Sequence, residues 1–152
     1  MSELTRRDLG LAMAAFAALA SVAEAQAGVQ SGADLSKSTV FRYDALPVVR
    51  NANGGEGRSV VRGTLPTGEY VELNETMLPP GQMQHPPHKH SHSEFILIRE
   101  GTLQHLNDGK AEASAGPGDI IFNASMVMHG LKNVGTVPAR YFVVAVGVQT
   151  TA

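Results

Sequence analysis

Five of the six histidines in this chain fall between residues 81 and 105, at positions 85, 88, 90, 92 and 105; the sixth is His129. Imidazole is the commonest biological metal ligand and the side chain that exchanges a proton nearest neutral pH. Such crowding therefore points to a metal site, to acid–base chemistry, or to both. His88 and His90 are separated by one residue, and alternate residues of an extended strand share a face. Their ring nitrogens can then reach one ion at about 2.0–2.2 Å. Glu94 follows four residues after His90, and a turn through Ser91-His92-Ser93 brings its carboxylate round to the same ion. His129 lies on a later strand and closes the set. Three neutral imidazoles and one carboxylate hold one divalent ion with positions left open for water, dioxygen or substrate; Mn, Fe, Zn, Cu and Ni all suit these donors.

The remaining histidines are candidates for proton transfer. His92 has the strand parity of His88 and His90 but falls in the expected turn, and Pro86-Pro87 separates His85 from the ligands. Both are expected on the rim, and a catalytic acid–base role for either is the functional alternative. His105 faces either the interior or solvent. Met77, Met83, Met126 and Met128 read as core filler. Asp119 reads as a turn residue and Asn133 as structural. The chain has no cysteine, which excludes disulfides, thiolate zinc sites and a thiol nucleophile. With 12 basic against 14 acidic residues, it has no basic footprint for nucleic acid.

The elements that must position these residues are short strands. Residues 58–65 and 69–78 read as a hairpin about Pro66-Thr67-Gly68, and Pro79-Pro80-Gly81 breaks the chain. Residues 94–99 contain Phe-Ile-Leu-Ile, a continuous apolar run expected as a buried strand. Residues 102–106 form another strand, closed by the hairpin turn Asn107-Asp108-Gly109. Strands at 120–122, 127–132 and 141–148 follow, with a turn at Gly116-Pro117-Gly118-Asp119. Residues 51–57 are a loop by composition. No segment after residue 38 has a helical period. Short strands with turn residues every 8–12 positions predict an all-β barrel or sandwich. One domain, residues 39–150, is expected, preceded by a flexible linker over residues 28–38.

Residues 1–27 read as an export signal: a charged start, an uncharged Ala-rich run over residues 9–22, and Ala23-Glu24-Ala25-Gln26-Ala27 as a small-x-small ending. Thr5-Arg6-Arg7-Asp8-Leu9 resembles the twin-arginine signal, departing from it at Gly10 and Leu11. The resemblance implies the twin-arginine export machinery as a partner, transport of the folded protein, and a periplasmic or secreted destination. No cysteine follows the apolar run to carry a lipid, so no stable membrane anchor is expected.

Gly81-x6-His88-x-His90-x3-Glu94-x6-Gly101 is similar to the first motif of the cupin family, usually Gly-x5-His-x-His-x3,4-Glu-x6-Gly. Gly118-Asp119-x9-His129-x3-Asn133 resembles the second, usually Gly-x5-Pro-x-Gly-x2-His-x3-Asn. The first spacer is one residue longer, which Pro86-Pro87 can absorb. The second motif lacks its proline and has Asn123-Ala124-Ser125 in that stretch. The resemblance covers about residues 65–148 and implies a small jelly-roll barrel, of the single-domain cupin-2 type, with a divalent ion on His88, His90, Glu94 and His129. A homodimer is the assembly it suggests. Open metal positions favour a dioxygenase- or oxidase-like oxidoreductase acting on a small organic substrate. The alternatives are a redox-neutral lyase or isomerase and a non-catalytic sugar- or small-ligand-binding protein. The motif segment has no arginine before Arg99, so a clamp for a carboxylate would require Arg58, Arg62 or Arg140 to point inward. Val127, Met128 and Leu131 around His129 suggest an apolar lining and an apolar or aromatic substrate.

Overall fold

The computed structural model describes residues 34–147. The expected export signal lies outside them, as do residues 28–33 of the expected linker. The described end of the linker forms a turn, with the Asp34 carboxylate accepting from the Ser36 amide at 3.0 Å. Nine strands follow: β1 (Val49–Arg50), β2 (Glu56–Thr64), β3 (Tyr70–Leu78), β4 (Ser93–Glu100), β5 (Leu103–Asn107), β6 (Lys110–Ala115), β7 (Ile120–Asn123), β8 (His129–Asn133) and β9 (Ala139–Gly147). Among the described residues the helical content is one 3-10 turn at Tyr43–Ala45. The fold is all-β, as the turn and strand pattern predicts.

The strands form a six-stranded sheet in the order β1-β2-β3-β9-β4-β7 and a three-stranded sheet in the order β6-β5-β8. All pairings are antiparallel. The hairpin about Pro66-Thr67-Gly68 closes with the Gly68 amide donating to the Leu65 carbonyl at 2.9 Å. In the β5–β6 hairpin, Asp108 (φ 48°) and Gly109 (φ 75°) both occupy the left-handed region, which is the conformation that lets a two-residue turn follow the strand twist.

Register sorts the inner face of the large sheet into transverse rows. Arg62 pairs with Glu72, Glu72 with Ala145, Ala145 with Glu94, and Glu94 with Asn123. The next inward row is Ser59, Asn74, Val143, Ile96 and Ile121. The third carries Thr76, Tyr141 and Ile98. The barrel is thus polar at one end and apolar at the other. Its core gathers Leu78, Ile96, Ile98, Leu103, Ile121, Leu131, Ala139 and Tyr141.

Three expectations need correction. The Phe-Ile-Leu-Ile run is buried on one side only: Ile96 and Ile98 face the core, whereas Phe95 and Leu97 are 43% and 37% exposed. A strand in a two-layer fold offers one face to the core, whatever the hydropathy of the other. Strands β1 and β6 fall where none was expected, and β2 begins inside the expected loop. Met126 is 58% exposed and is not core filler; it sits at φ 61° in the turn that precedes His129.

Candidate metal centre

His88 and His90 do not lie on a regular strand. They sit in the irregular segment between β3 and β4, which is tied to β8 by two isolated antiparallel bridges, one between Met83 and Lys132 and one between His88 and His129. The two residues exchange both backbone hydrogen bonds, at 2.9 and 2.8 Å. A second clamp comes from the turn before β8. The Met126 amide donates to the His90 carbonyl at 2.8 Å, and the Ser125 hydroxyl to the Ser91 carbonyl at 2.7 Å. The histidine loop and the turn therefore hold each other in place, and Glu94 enters from the start of β4.

Four predicted ligands converge. His88, His90 and His129 can each offer a ring nitrogen with all three within 4.8 Å of one another. Glu94 Oε1 lies 3.1 Å from His90 Nε2, and Glu94 Oε2 lies 3.4 Å from His129 Nε2. His90 Nδ1 donates to the His92 carbonyl and His129 Nδ1 to the Val127 carbonyl, each at 2.9 Å. Those bonds fix the ring proton on Nδ1 and leave the Nε2 lone pair free. His90 Nε2 and His129 Nε2 are buried without a hydrogen-bond partner, and so is His88 Nδ1. Buried polar atoms are nearly always partnered, so three orphaned imidazole nitrogens on neighbouring rings, two of them beside one carboxylate, fit a bound cation. Burial, reinforced by neighbouring His85, His129 and His90, pushes the His88 pKa down to about 4. The ring is thus neutral at pH 7, the state a metal ligand requires.

His92 and His85 stand closer to this cluster than expected. His92 stacks on His90 with ring centroids 3.7 Å apart and places Nε2 3.4 Å from Glu94 Oε1. His90, His92 and Glu94 form a second grouping with metal-ligand spacing. Burial holds the His92 pKa below its ordinary value. His85 meets His88 edge-on at 4.1 Å, because the two prolines turn the chain instead of separating the rings.

Sequence reasoning missed Asn123. It is buried at the end of the polar row, donates from Nδ2 to Glu94 Oε2 at 3.2 Å and accepts from His105 Nε2 at 3.0 Å. His105 is thereby assigned to the interior side, one hydrogen bond removed from a candidate ligand. Asn133 and Asp119 are structural as expected. Asn133 is fully buried and donates to the Leu78 and Val137 carbonyls, at 2.8 and 2.9 Å. Asp119 accepts from the Gly116 amide at 2.8 Å.

The cluster opens on a cavity of about 450 Å³. Leu131, Ile96 and Val143 supply apolar wall, but Ser59, Arg62, Glu72, Asn74, Gln84 and Asn123 also line it. Val127 and Met128 do not border it, so the apolar lining expected around His129 is corrected to a mixed polar and apolar one. The reason is long-range: β2 and β3 bring their inward polar residues beside Glu94.

The family described as Cupin domain matches residues 74–145, a stretch that contains all four converging residues. The fold is that of the cupins. A RmlC-like cupin from Shewanella frigidimarina superposes with a TM-score of 0.58 at 17% identity, covering 74% of this chain and 94% of that one. The polyketide cyclase RemF from Streptomyces resistomycificus gives 0.56 at 21% identity, over 76% of this chain and 88% of that one. A predicted oxalate decarboxylase from Thermotoga maritima also gives 0.56 at 21% identity, over 73% and 100%. These cupins share the barrel, and their differing chemistry shows that the barrel alone does not select a reaction. No curated protein matches the chain in sequence.

Proposed function

We propose that His88, His90, Glu94 and His129 hold one divalent metal ion, Mn or Fe, and that the protein is an exported metal-dependent oxidoreductase, dioxygenase- or oxidase-like, acting on a small polar organic molecule. The observation that carries this reading is the set of three buried, partnerless imidazole nitrogens on mutually close histidines at the wall of a cavity, with Glu94 beside two of them. A bound ion would supply a Lewis acid and a site for redox exchange. The rest of the work falls to the chain. The carbonyls of His92 and Val127 fix the tautomers of His90 and His129, and Asn123 fixes the Glu94 carboxylate. The cavity confines the substrate against this wall, and His85, which lines it beside His88, is placed to exchange a proton there.

That position of His85 also favours a second reading, a redox-neutral lyase or isomerase in which proton transfer is the main event. Metal analysis and oxygen uptake separate the two. Protein recovered after export should carry about one Mn or Fe per chain, and His88→Ala should lose it while remaining folded. Oxygen uptake with a small organic substrate supports the oxidoreductase. Zn occupancy with turnover but no oxygen uptake supports the lyase or isomerase. A wild-type protein that takes up no metal even after reloading overturns both and leaves a ligand-binding role.

A further inference from the structure

The cavity has a second polar feature that the four candidate ligands do not involve. Arg62 lines it from β2, three strands from Glu94 along the polar inner row. Three inter-strand spacings put the two backbones roughly 14 Å apart, and both side chains are long, so a small molecule fits between their heads.

The environment of Arg62 is built to orient it. Its Nε is the bonded nitrogen: it donates to the Tyr70 hydroxyl and lies 3.2 Å from Glu72 Oε2. The Tyr70 hydroxyl in turn donates to Glu72 Oε2 at 2.9 Å, and Asn74 Nδ2 donates to Glu72 Oε1 at 2.8 Å. Both oxygens of Glu72 are therefore occupied, and this carboxylate acts as a brace. The two terminal nitrogens of the guanidinium make no hydrogen bond or ion pair among the described residues, and the side chain is half exposed. A guanidinium pinned through Nε presents its free edge in one orientation, which is the arrangement that receives a planar carboxylate through two parallel N–H···O bonds.

We propose that Arg62, braced by Glu72, Tyr70 and Asn74, is the anchor for a carboxylate group of the substrate, so that the cavity takes a small organic acid with its other end toward the histidine cluster. This rests on the reading of the cavity as the substrate site and names the substrate class. Arg62 is a specificity-determining residue here, remote from the reacting end.

Calorimetric titration with succinate, inorganic phosphate and the neutral analogue succinamide tests the assignment, using wild-type protein and the Arg62→Gln and Arg62→Lys variants with metal content measured in each. Succinate is expected to bind the wild type, succinamide not to, and Arg62→Gln to weaken succinate about tenfold or more with metal content unchanged. Arg62→Lys keeps the charge but loses the fork, and should recover only part of the affinity. The assignment is overturned if succinate fails to bind the wild type at millimolar concentrations, if Arg62→Gln binds it equally well, or if phosphate outcompetes succinate. Succinate binding that depends on Arg62 in a protein that takes up no metal would sustain the anchor and sink the metal reading, so the two failures are distinguishable.

Discussion

At the scale of single residues, the site depends on imidazoles kept neutral by their surroundings. The His88 pKa is held at about 4, chiefly by burial and then by its histidine neighbours, and burial also lowers that of His92. In the unfolded chain a histidine takes up its proton near its ordinary value of about 6.5. Between that pH and 4 the unfolded chain binds more protons than the folded one, so acidification favours unfolding. The metal-free protein is therefore expected to be most stable above pH 6.5 and to lose stability steadily as the pH falls toward 4. Thermal unfolding of metal-stripped protein across this range should show the decline, and His88→Gln, which cannot take up a proton there, should make it shallower, with His92 accounting for part of what remains. A melting temperature that is level from pH 7 to 4.5 in the wild type would contradict the burial argument. Asn123 shows what residue types alone conceal. Its sequence neighbourhood reads as a turn lacking the family's proline, and only the pairing of Glu94 with Asn123 places its amide between the carboxylate and His105.

At the scale of elements, the corner between β4 and β5 has no room for a side chain at Gly101. Gly101 has φ +77°, and a Cβ there would come within 2.6 Å of the Ala139 Cα and 2.9 Å of the Pro138 carbonyl oxygen. Gly109, in the β5–β6 turn, has φ +75° with nothing within 4 Å. The two glycines separate backbone conformation from space. Gly109→Ala should cost only the conformational penalty of about 1 kcal/mol. Gly101→Ala adds a backbone collision and should cost well over about 2 kcal/mol. Urea midpoints read the difference, and equal midpoints for the two variants would refute it. These turns were legible because glycine, asparagine and aspartate announce left-handed backbone locally. Strand β6 was not, since Lys110–Ala115 is exposed almost throughout and has no apolar alternation; it exists because the turn folds it back onto β5. Strand β1 has two residues and no periodicity to detect. The polarity of the cavity was hidden for a related reason. Arg62 and Glu72 stand near Glu94 only through the register of β2, β3, β9 and β4, which no local pattern encodes. The four converging residues were legible because two short motifs carry them, although the segment bearing His88 and His90 proved to be a bridged loop and not a strand.

At the scale of the whole molecule, the question is where the metal would be acquired. The four proposed ligands come from the segment before β4, from β4 itself and from β8, and they meet only when the β5–β8 sheet closes on the large one. An unfolded chain offers no such site, so metal binding and folding are coupled. Export before folding would present the site first to periplasmic metals, among which Zn and Cu bind nitrogen donors more tightly than Mn or Fe. Export after folding would let the cytoplasmic supply of Mn or Fe fill it first. A twin-arginine signal at Thr5-Arg6-Arg7-Asp8-Leu9, which we propose, would provide the second route. Replacing both Arg6 and Arg7 by Lys should therefore leave full-length precursor in the cytoplasm, seen by fractionation and immunoblotting beside a mature-sized wild-type protein in the periplasm. Rerouting the same barrel through a general secretory signal should yield folded periplasmic protein carrying Zn or Cu in place of Mn or Fe. Normal export of the double-lysine variant would assign the protein to the unfolded route, and identical metal content by both routes would show that the site itself, and not the order of folding and transport, selects its ion.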